Sequence, residues 1–252
     1  MRVPRLLMES ELEPGHSLAL PPETLRHAVS VLRLRDGAAC RVFDGAGHEH
    51  HAVLTLAGRR SGSVQIGAVA AEPTTPARTI RLLQGIARGD HMDLAIQKAV
   101  ELGVTEIWPV LSTRSLSGGG HRRVDSRFRH WEGVLRAATE QCGRNELARL
   151  DPPRDLAEAL GALTPGGLRA VADPAGDPPE IWRSAHPNPG EPGGDPITLL
   201  VGPEGGLEAG EIALAKAAGF RGLRLGPRIL RTETASIVGI TVLQMLYGDL
   251  RR

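Results

Sequence analysis

Two short apolar runs near the C-terminal end of this 252-residue chain constrain its fold more than any other feature. Residues 197–201 (ITLLV) and 222–225 (GLRL) each read as a strand, and each is followed by a Gly-Pro turn, Gly202-Pro203 and Gly226-Pro227. Each turn leads towards a helix: one over residues 209–218, stopped by Gly219, and one over residues 232–247. Two tight loops of this kind can lie side by side at the carboxyl ends of neighbouring strands, which is where open α/β sheets bind ligands.

The chain upstream keeps the same rhythm back to about residue 79. Residues 79–86 (TIRLLQGI) predict a strand, and Asp90 can cap a helix that runs to residue 102 and stops at Gly103. Met92, Ile96 and Ala99 give that helix an inward stripe. A β-branched strand follows at 104–111, a loop at 117–121, a helix at 127–141 with Phe128, Trp131, Leu135 and Ala138 on one side, and a strand at 168–172. Alternating strands and helices imply a mainly parallel sheet. Residues 173–196 hold seven prolines and read as a mobile loop. The helix at 232–247 is apolar nearly all round, so it needs burial on several sides, part of it against a second copy of the chain.

Before residue 72 the pattern is β. A helix at 22–32 precedes short strands at 41–44, 50–56 and 63–69, with a Gly45-Ala46-Gly47 turn, which suggests a small barrel. The proline-bearing stretch EPTTPAR separates the two halves. The expected organisation is therefore a barrel domain over 1–72, a linker over 73–78 and an α/β domain over 79–252.

Bulk properties narrow the function by exclusion. No apolar run is long enough to span a membrane and no leader precedes the first strand, so a cytoplasmic protein is expected. Two cysteines, Cys40 and Cys142, are too few for a disulfide framework or a zinc site. On a strand His48 and His50 share a face while Glu49 and His51 point away, so too few ligands converge to hold a metal. The net charge of +1 predicts no nucleic-acid partner by itself, but the cations are almost all arginine, a fork suited to phosphates and base edges. Arg2, Arg5, Arg26, Arg33, Arg114 and Arg144 are the candidates for gripping RNA. Aromatic residues at 3% argue against a sheet that stacks bases.

The loop GPEGG at 202–206 lacks the Lys-Ser or Lys-Thr pair of a P-loop and the spacing of a dinucleotide fingerprint. The second loop reads LGPRILRTETA (225–235), where Thr232 can cap the following helix and Glu233 sits at its positive end. With LLQGIARGDHMDLAIQKAVELGV (82–104), STRS (112–115), EQCGR (140–144) and LLVGPEGG (199–206), the chain resembles the bacterial 16S rRNA uridine-N3 methyltransferases of the SPOUT superfamily. The pieces fall in the family's order across nearly the whole chain.

The resemblance implies a C-terminal SPOUT domain with a deep trefoil knot, a PUA-like N-terminal barrel that grips rRNA, and a homodimer through the knotted domains. It implies S-adenosylmethionine as cofactor, held by Leu200, Gly202, Glu204, Gly205, Gly206, Leu225, Gly226, Ile229, Leu230, Arg231, Thr234 and Ala235. Arg231 is the candidate for stabilising negative charge on a uracil, and Glu204 for orienting it or accepting its proton. Arg88-Gly89-Asp90-His91 stands where the family usually has Lys-Gly-Asp-Arg, and residues 145–149 also depart from its pattern. Cys142 reads as a small filler, because methylation of a ring nitrogen needs no covalent adduct. Two other functions remain open on the same fold: an RNA-binding assembly factor without activity, and an enzyme that methylates another atom such as a ribose 2′-oxygen.

Overall fold

The computed structural model describes residues 3–58, 61–71, 78–115, 121–186 and 195–251. The chain forms two compact units, one comprising Met1–Thr75 with Thr139–Leu147 and the other Pro76–Ala138 with Ala148–Arg252. Most of the proline-bearing linker, most of the loop at 117–121, and Arg2 lie outside the described residues.

In the first unit, strands β1 (Arg5–Leu7), β2 (Ser17–Ala19), β3 (Ala39–Phe43), β4 (Glu49–Leu56) and β5 (Gly62–Ala71) form one sheet in the order β1-β3-β4-β5-β2. Alternation along β4 sends Ala52 and Leu54 inward, where they meet Val64, Ile66, Val42 and Leu6. The single helix expected at 22–32 is divided: α1 (Pro22–Arg26) passes into a π-helical turn at His27–Val31, and Arg33 follows with φ 55°.

Residues 139–147 are stitched onto this sheet by their polar groups. Arg5 is 8% exposed. Its Nε donates to Glu49 Oε1 at 2.9 Å, and its other nitrogens donate to the carbonyls of Thr139, Glu140 and Arg144. Thr139 and Glu140 are in the last turn of α3 and Arg144 lies just beyond it, where helix-end carbonyls look for partners outside the helix. Glu140 accepts the Leu7 amide at 3.0 Å, Asn145 donates to the Gly47 carbonyl at 2.8 Å, and Leu147 donates from its amide to Gly45 at 2.8 Å.

The second unit carries β6 (Ile80–Gly85), α2 (Asp90–Glu101), β7 (Glu106–Leu111), α3 (His121–Cys142, its end counted with the first unit), β8 (Arg149–Leu150) and β9 (Arg154–Asp155). It continues with α4 (Leu156–Gly161), β10 (Leu168–Asp177), α5 (Pro179–Ala185), β11 (Ile197–Val201), α6 (Ala209–Ala217), β12 (Arg221–Leu223) and α7 (Thr232–Tyr247). The sheet is parallel throughout, ordered β12-β10-β11-β6-β7-β8, with β9 also on β7. Every residue of β6 and β11 is buried, as expected of central parallel strands covered on both faces. Gly239 lets α7 lie against β11, since a Cβ there would meet Leu199 Cδ2 at 2.8 Å.

Two local expectations change. Part of the stretch expected as a mobile loop, residues 173–185, is strand and helix: β10 runs on to Asp177, and α5 buries Trp182, whose Nε1 donates to the Gly222 carbonyl at 3.0 Å. The prolines at 178 and 179 begin α5, where a missing N–H costs no helix bond. Asp90 is the first residue of α2 and caps nothing with its side chain; Gly89, at φ 50°, holds the cap position.

Candidate active site

The carboxyl ends of β10, β11 and β12 open onto a cavity of about 340 Å³. Its floor and walls come from Val201–Leu207, from 225–226 and 228–230, and from Ala172, Asp173, Leu223, Thr232 and Ala235. Both Gly-Pro loops expected to hold a ligand therefore line one space.

Close backbone approach forms the first loop. A Cβ on Gly85 would lie 2.5 Å from the Pro203 nitrogen, so only glycine lets the loop cross the end of β6. Gly206, at φ 71°, closes the turn with its amide on the Pro203 carbonyl at 2.8 Å. Glu204 accepts the Arg88 amide at 2.7 Å. The STRS segment braces the same loop: Arg114 donates to the Gly205 carbonyl at 2.8 Å, and the Thr113 amide donates to Glu211 at 2.8 Å. Glu211 also accepts the Glu208 amide and so completes the capping box that starts α6.

The second loop is joined to the first through a buried polar chain. Thr232 donates from its hydroxyl to the Gly202 carbonyl at 2.6 Å and accepts from Gln84 Nε2 at 2.9 Å. Ser236 donates to the other end of the same amide, Gln84 Oε1. Gln84 and Ser236 are fully buried, so each polar atom in the chain needs its partner. Thr232 is consequently a tie between loops and not the cap of α7; Arg231 occupies the N-cap position, without a side-chain cap bond.

Of the twelve residues expected to hold the cofactor, nine line the cavity: Gly202, Glu204, Gly205, Gly206, Leu225, Gly226, Ile229, Leu230 and Ala235. Leu200 does not, because its place in β11 turns it into the core with Leu83, Val110 and Phe220. Arg231 and Thr234 also stand outside the lining, Arg231 exposed and Thr234 half-buried on the first turn of α7. Sequence reasoning missed Asp173, which lines the cavity and accepts the Ala175 amide on its carboxylate at 2.9 Å. The signal was hidden by the prolines that made 173–196 read as a loop.

The arginines expected to grip RNA divide sharply. Arg26 and Arg33 are exposed on the first unit. Arg5 is buried, with all three nitrogens bonded to Glu49 or to carbonyls of residues 139–144, so it is not presented to RNA. Arg114 is exposed, but it is committed in part to Gly205 and lies 3.5 Å from Glu208. Arg144 is half-buried, with its carbonyl taken by Arg5. Cys142 is half-exposed and its Sγ lies 3.7 Å from the Thr139 carbonyl, whereas burial pushes the Cys40 thiol up to about 11. Among the described residues no cluster of histidine, cysteine or carboxylate side chains can hold a metal ion, and no helix is long and apolar enough to cross a membrane.

A family model described as an RNA methyltransferase domain matches residues 74–244, and one described as an RNA methyltransferase PUA domain matches residues 20–67. Fold and site together define a SPOUT-type RNA methyltransferase with a PUA-like N-terminal domain. Solved structures agree along the whole chain. A ribosomal RNA small subunit methyltransferase E from Neisseria gonorrhoeae, bound to S-adenosyl methionine, is 34% identical with a TM-score of 0.91, over 99% of this chain and 100% of that one. A methyltransferase from Legionella pneumophila, in complex with the bound cofactor SAM, is 31% identical with a TM-score of 0.90, over 99% and 100%. The ribosomal RNA small subunit methyltransferase E of Mycobacterium tuberculosis is 30% identical over 87% of this chain and 83% of its own length. The chain belongs to the ribosomal RNA small subunit methyltransferase E family.

Proposed function

We propose that the chain transfers the methyl group of S-adenosylmethionine to N3 of a uridine in 16S rRNA, working as a homodimer in the cytoplasm. The observation that carries this reading is the cavity built by both Gly-Pro loops at the ends of β10, β11 and β12. Its residues fit the cofactor. Leu207, Ile212, Leu223, Leu225, Ile229 and Leu230 offer apolar walls for a purine, the glycine-rich turns offer peptide groups, and Asp173 offers a carboxylate to a ribose or an ammonium group. When bound, S-adenosylmethionine supplies an electrophilic methyl carbon on a sulfonium.

The protein's own part is positioning and charge. The polar chain Gln84–Thr232–Ser236 fixes the two loops relative to each other, which favours near-attack geometry. Arg231, exposed beside the second loop, stabilises negative charge that develops on the uracil carbonyls. Glu204 has an oxygen committed to the Arg88 amide, so it orients the loop. Exposed Arg26 and Arg33 on the PUA-like unit are the strongest candidates for phosphate contacts. The homodimer rests on α7: it buries Ile240 and Leu243 within the chain but leaves Met245 60% exposed and Ile237, Val238 and Val242 half-buried.

The test is nucleoside analysis of 16S rRNA from a strain lacking the protein. Loss of a single N3-methyluridine, restored by the wild-type gene, is expected. Loss of a 2′-O-methylated nucleoside instead would establish the other target atom. Unchanged rRNA together with no binding of S-adenosylmethionine would establish an assembly factor.

A further inference from the structure

The two Gly-Pro loops line one cavity, yet their polar groups are spent differently. The first loop is braced along its length: Gly202 accepts from Thr232, Pro203 from the Gly206 amide, Gly205 from Arg114, and Glu204 from the Arg88 amide. The second loop is bonded at its ends. The Arg224 amide donates to the Asp177 carbonyl at 2.9 Å, and the Arg231 carbonyl accepts the Ala235 amide at 2.7 Å as α7 begins. Between these points, residues 225–230 offer six carbonyls and, because Pro227 lacks one, five amides. Among the described residues none of these groups makes a hydrogen bond. Leu225 and Leu230 are half-buried and the four residues between them are exposed. Solvent-facing backbone without internal bonds belongs to the low-stability end of a structure.

The side chains of this stretch carry one sign of charge. Arg224, Arg228 and Arg231 recur within eight residues, and no carboxylate follows before Glu233. All three are exposed, and among the described residues none of their guanidinium groups has a hydrogen-bond or ion-pair partner. Other exposed arginines of the same unit are neutralised: Arg149 pairs with Glu106 and Asp151, Arg221 with Asp177, and Arg114 lies 3.5 Å from Glu208. Ile229 stands among the three unpaired forks at 82% exposure. Guanidinium groups pair with phosphates and stack on unstacked bases, so the chemistry of the stretch matches a single RNA strand. Its place matches too. A methyl group passes only to an atom in contact with it, and residues 225, 226 and 228–230 wall the cavity, so the acceptor strand must come against this loop.

We propose that the second Gly-Pro loop is an RNA-contact ridge, with Arg224 and Arg228 flanking the Arg231 end of the site, and that it takes its binding form only on S-adenosylmethionine. This rests on the methyl transfer proposed above. The bound cofactor engages unspent peptide groups on the cavity side of residues 225–230, which orders the loop and fixes the arginines. RNA then meets a preformed surface and loses less conformational entropy on binding. Binding is therefore ordered, cofactor before RNA. By linkage, RNA raises the affinity for the cofactor by the same factor.

The experiment measures amide exchange by NMR and binding of a 16S rRNA fragment by fluorescence anisotropy, each with and without S-adenosylhomocysteine, which shares all but the methyl group and cannot turn over. In the free protein the amides of Leu225, Gly226, Arg228, Ile229 and Leu230 should exchange fast, and the ligand should slow them. The Gly206 amide, already bonded to Pro203, should be slow in both states. RNA affinity should rise by about 5- to 150-fold with the ligand bound. Arg224 does not line the cavity, so it separates RNA from cofactor. Arg224→Gln should weaken RNA binding and flatten the log-log salt slope by about 0.7–0.9, Arg224→Lys should restore it, and calorimetry should find S-adenosylmethionine affinity unchanged. Loop amides already slow in the free protein, or RNA affinity equal with and without the ligand, would overturn the ordering. A salt slope in Arg224→Gln equal to wild type would overturn the ridge, and a shifted dimer equilibrium in that variant would assign the loop to a second copy of the chain instead. Each of these outcomes leaves the methyltransferase standing. Absence of S-adenosylmethionine binding to wild type would overturn the functional reading and this proposal together.

Discussion

The two Gly-Pro loops of the second unit and residues 139–147 of the first are alike in sequence terms: short, glycine-bearing and dense in charge. Their polar groups go to opposite ends. Around the loops, a few buried bonds, Thr232 to Gly202 and Gln84 to Thr232, lock the frame, while the turns themselves line an open cavity. In the 139–147 segment the polar groups are turned inward: Glu140 takes the Leu7 amide, Asn145 takes Gly47, and the helix-end carbonyls take Arg5. A recurrent motif therefore does not by itself mark a ligand site. What distinguishes the two is whether the backbone and side-chain groups are left unspent.

The largest effect that would sharpen this contrast is at Arg5. Arg5→Ala leaves Glu49, 3% exposed, without its 2.9 Å partner and removes the guanidinium donor from the carbonyls of Thr139, Glu140 and Arg144. A loss of about 3–5 kcal/mol in unfolding free energy is expected from breaking a buried ion pair by one partner. Chemical denaturation checks it; a loss within 0.5 kcal/mol or so, as for an ordinary surface residue, would break the comparison.

Gly85→Ala comes next. The added methyl meets the Pro203 backbone at 2.5 Å, so the first loop must shift. Overpacking of this kind costs about 1–3 kcal/mol, and S-adenosylmethionine affinity should fall at least about tenfold, since 1.4 kcal/mol is a factor of ten. Calorimetry alongside a melting curve separates the two losses. Asn145→Ala should cost about 1–3 kcal/mol, because it leaves the Gly47 carbonyl unmatched at a buried position.

The smallest effect is a pH dependence at Asp44. Burial pushes its carboxyl up, but the His48 side chain and the amides of Ala46 and His48 outweigh this and hold it below the ordinary value. A lowered folded value stabilises the protein above the unfolded carboxylate range, and that contribution disappears as pH falls through the folded value. Denaturation midpoints of Asp44→Asn and wild type should therefore converge in acid and separate towards neutrality.

Where the apolar pattern decided the structure, it was readable in the sequence. Residues 197–201 and 232–247 are strand and helix over the expected span, and Met92, Ile96 and Ala99 are the buried stripe of α2. The two Gly-Pro turns at matching strand ends marked where a ligand could lie, and nine of the twelve residues that the family resemblance implied line the cavity there. The rest depended on partners distant in the chain. Arg5 looks like any surface arginine until β1 brings it beneath a helix end 134 residues away. Thr232 reads as a helix cap until Gly202 and Gln84 claim its hydroxyl. Prolines at 174, 178 and 179 suggested a loop because a sequence does not show that Trp182 will find Gly222.

The central claim is that these two loops hold S-adenosylmethionine, and Ile229 tests it most directly. It lines the cavity yet is 82% exposed, so Ile229→Asp should leave the unliganded melting temperature unchanged. Titration calorimetry should find S-adenosylmethionine binding to wild type and at least about tenfold weaker binding to the variant, the equivalent of 1.4 kcal/mol. Equal affinity in the two proteins, or no binding to wild type, would contradict the account.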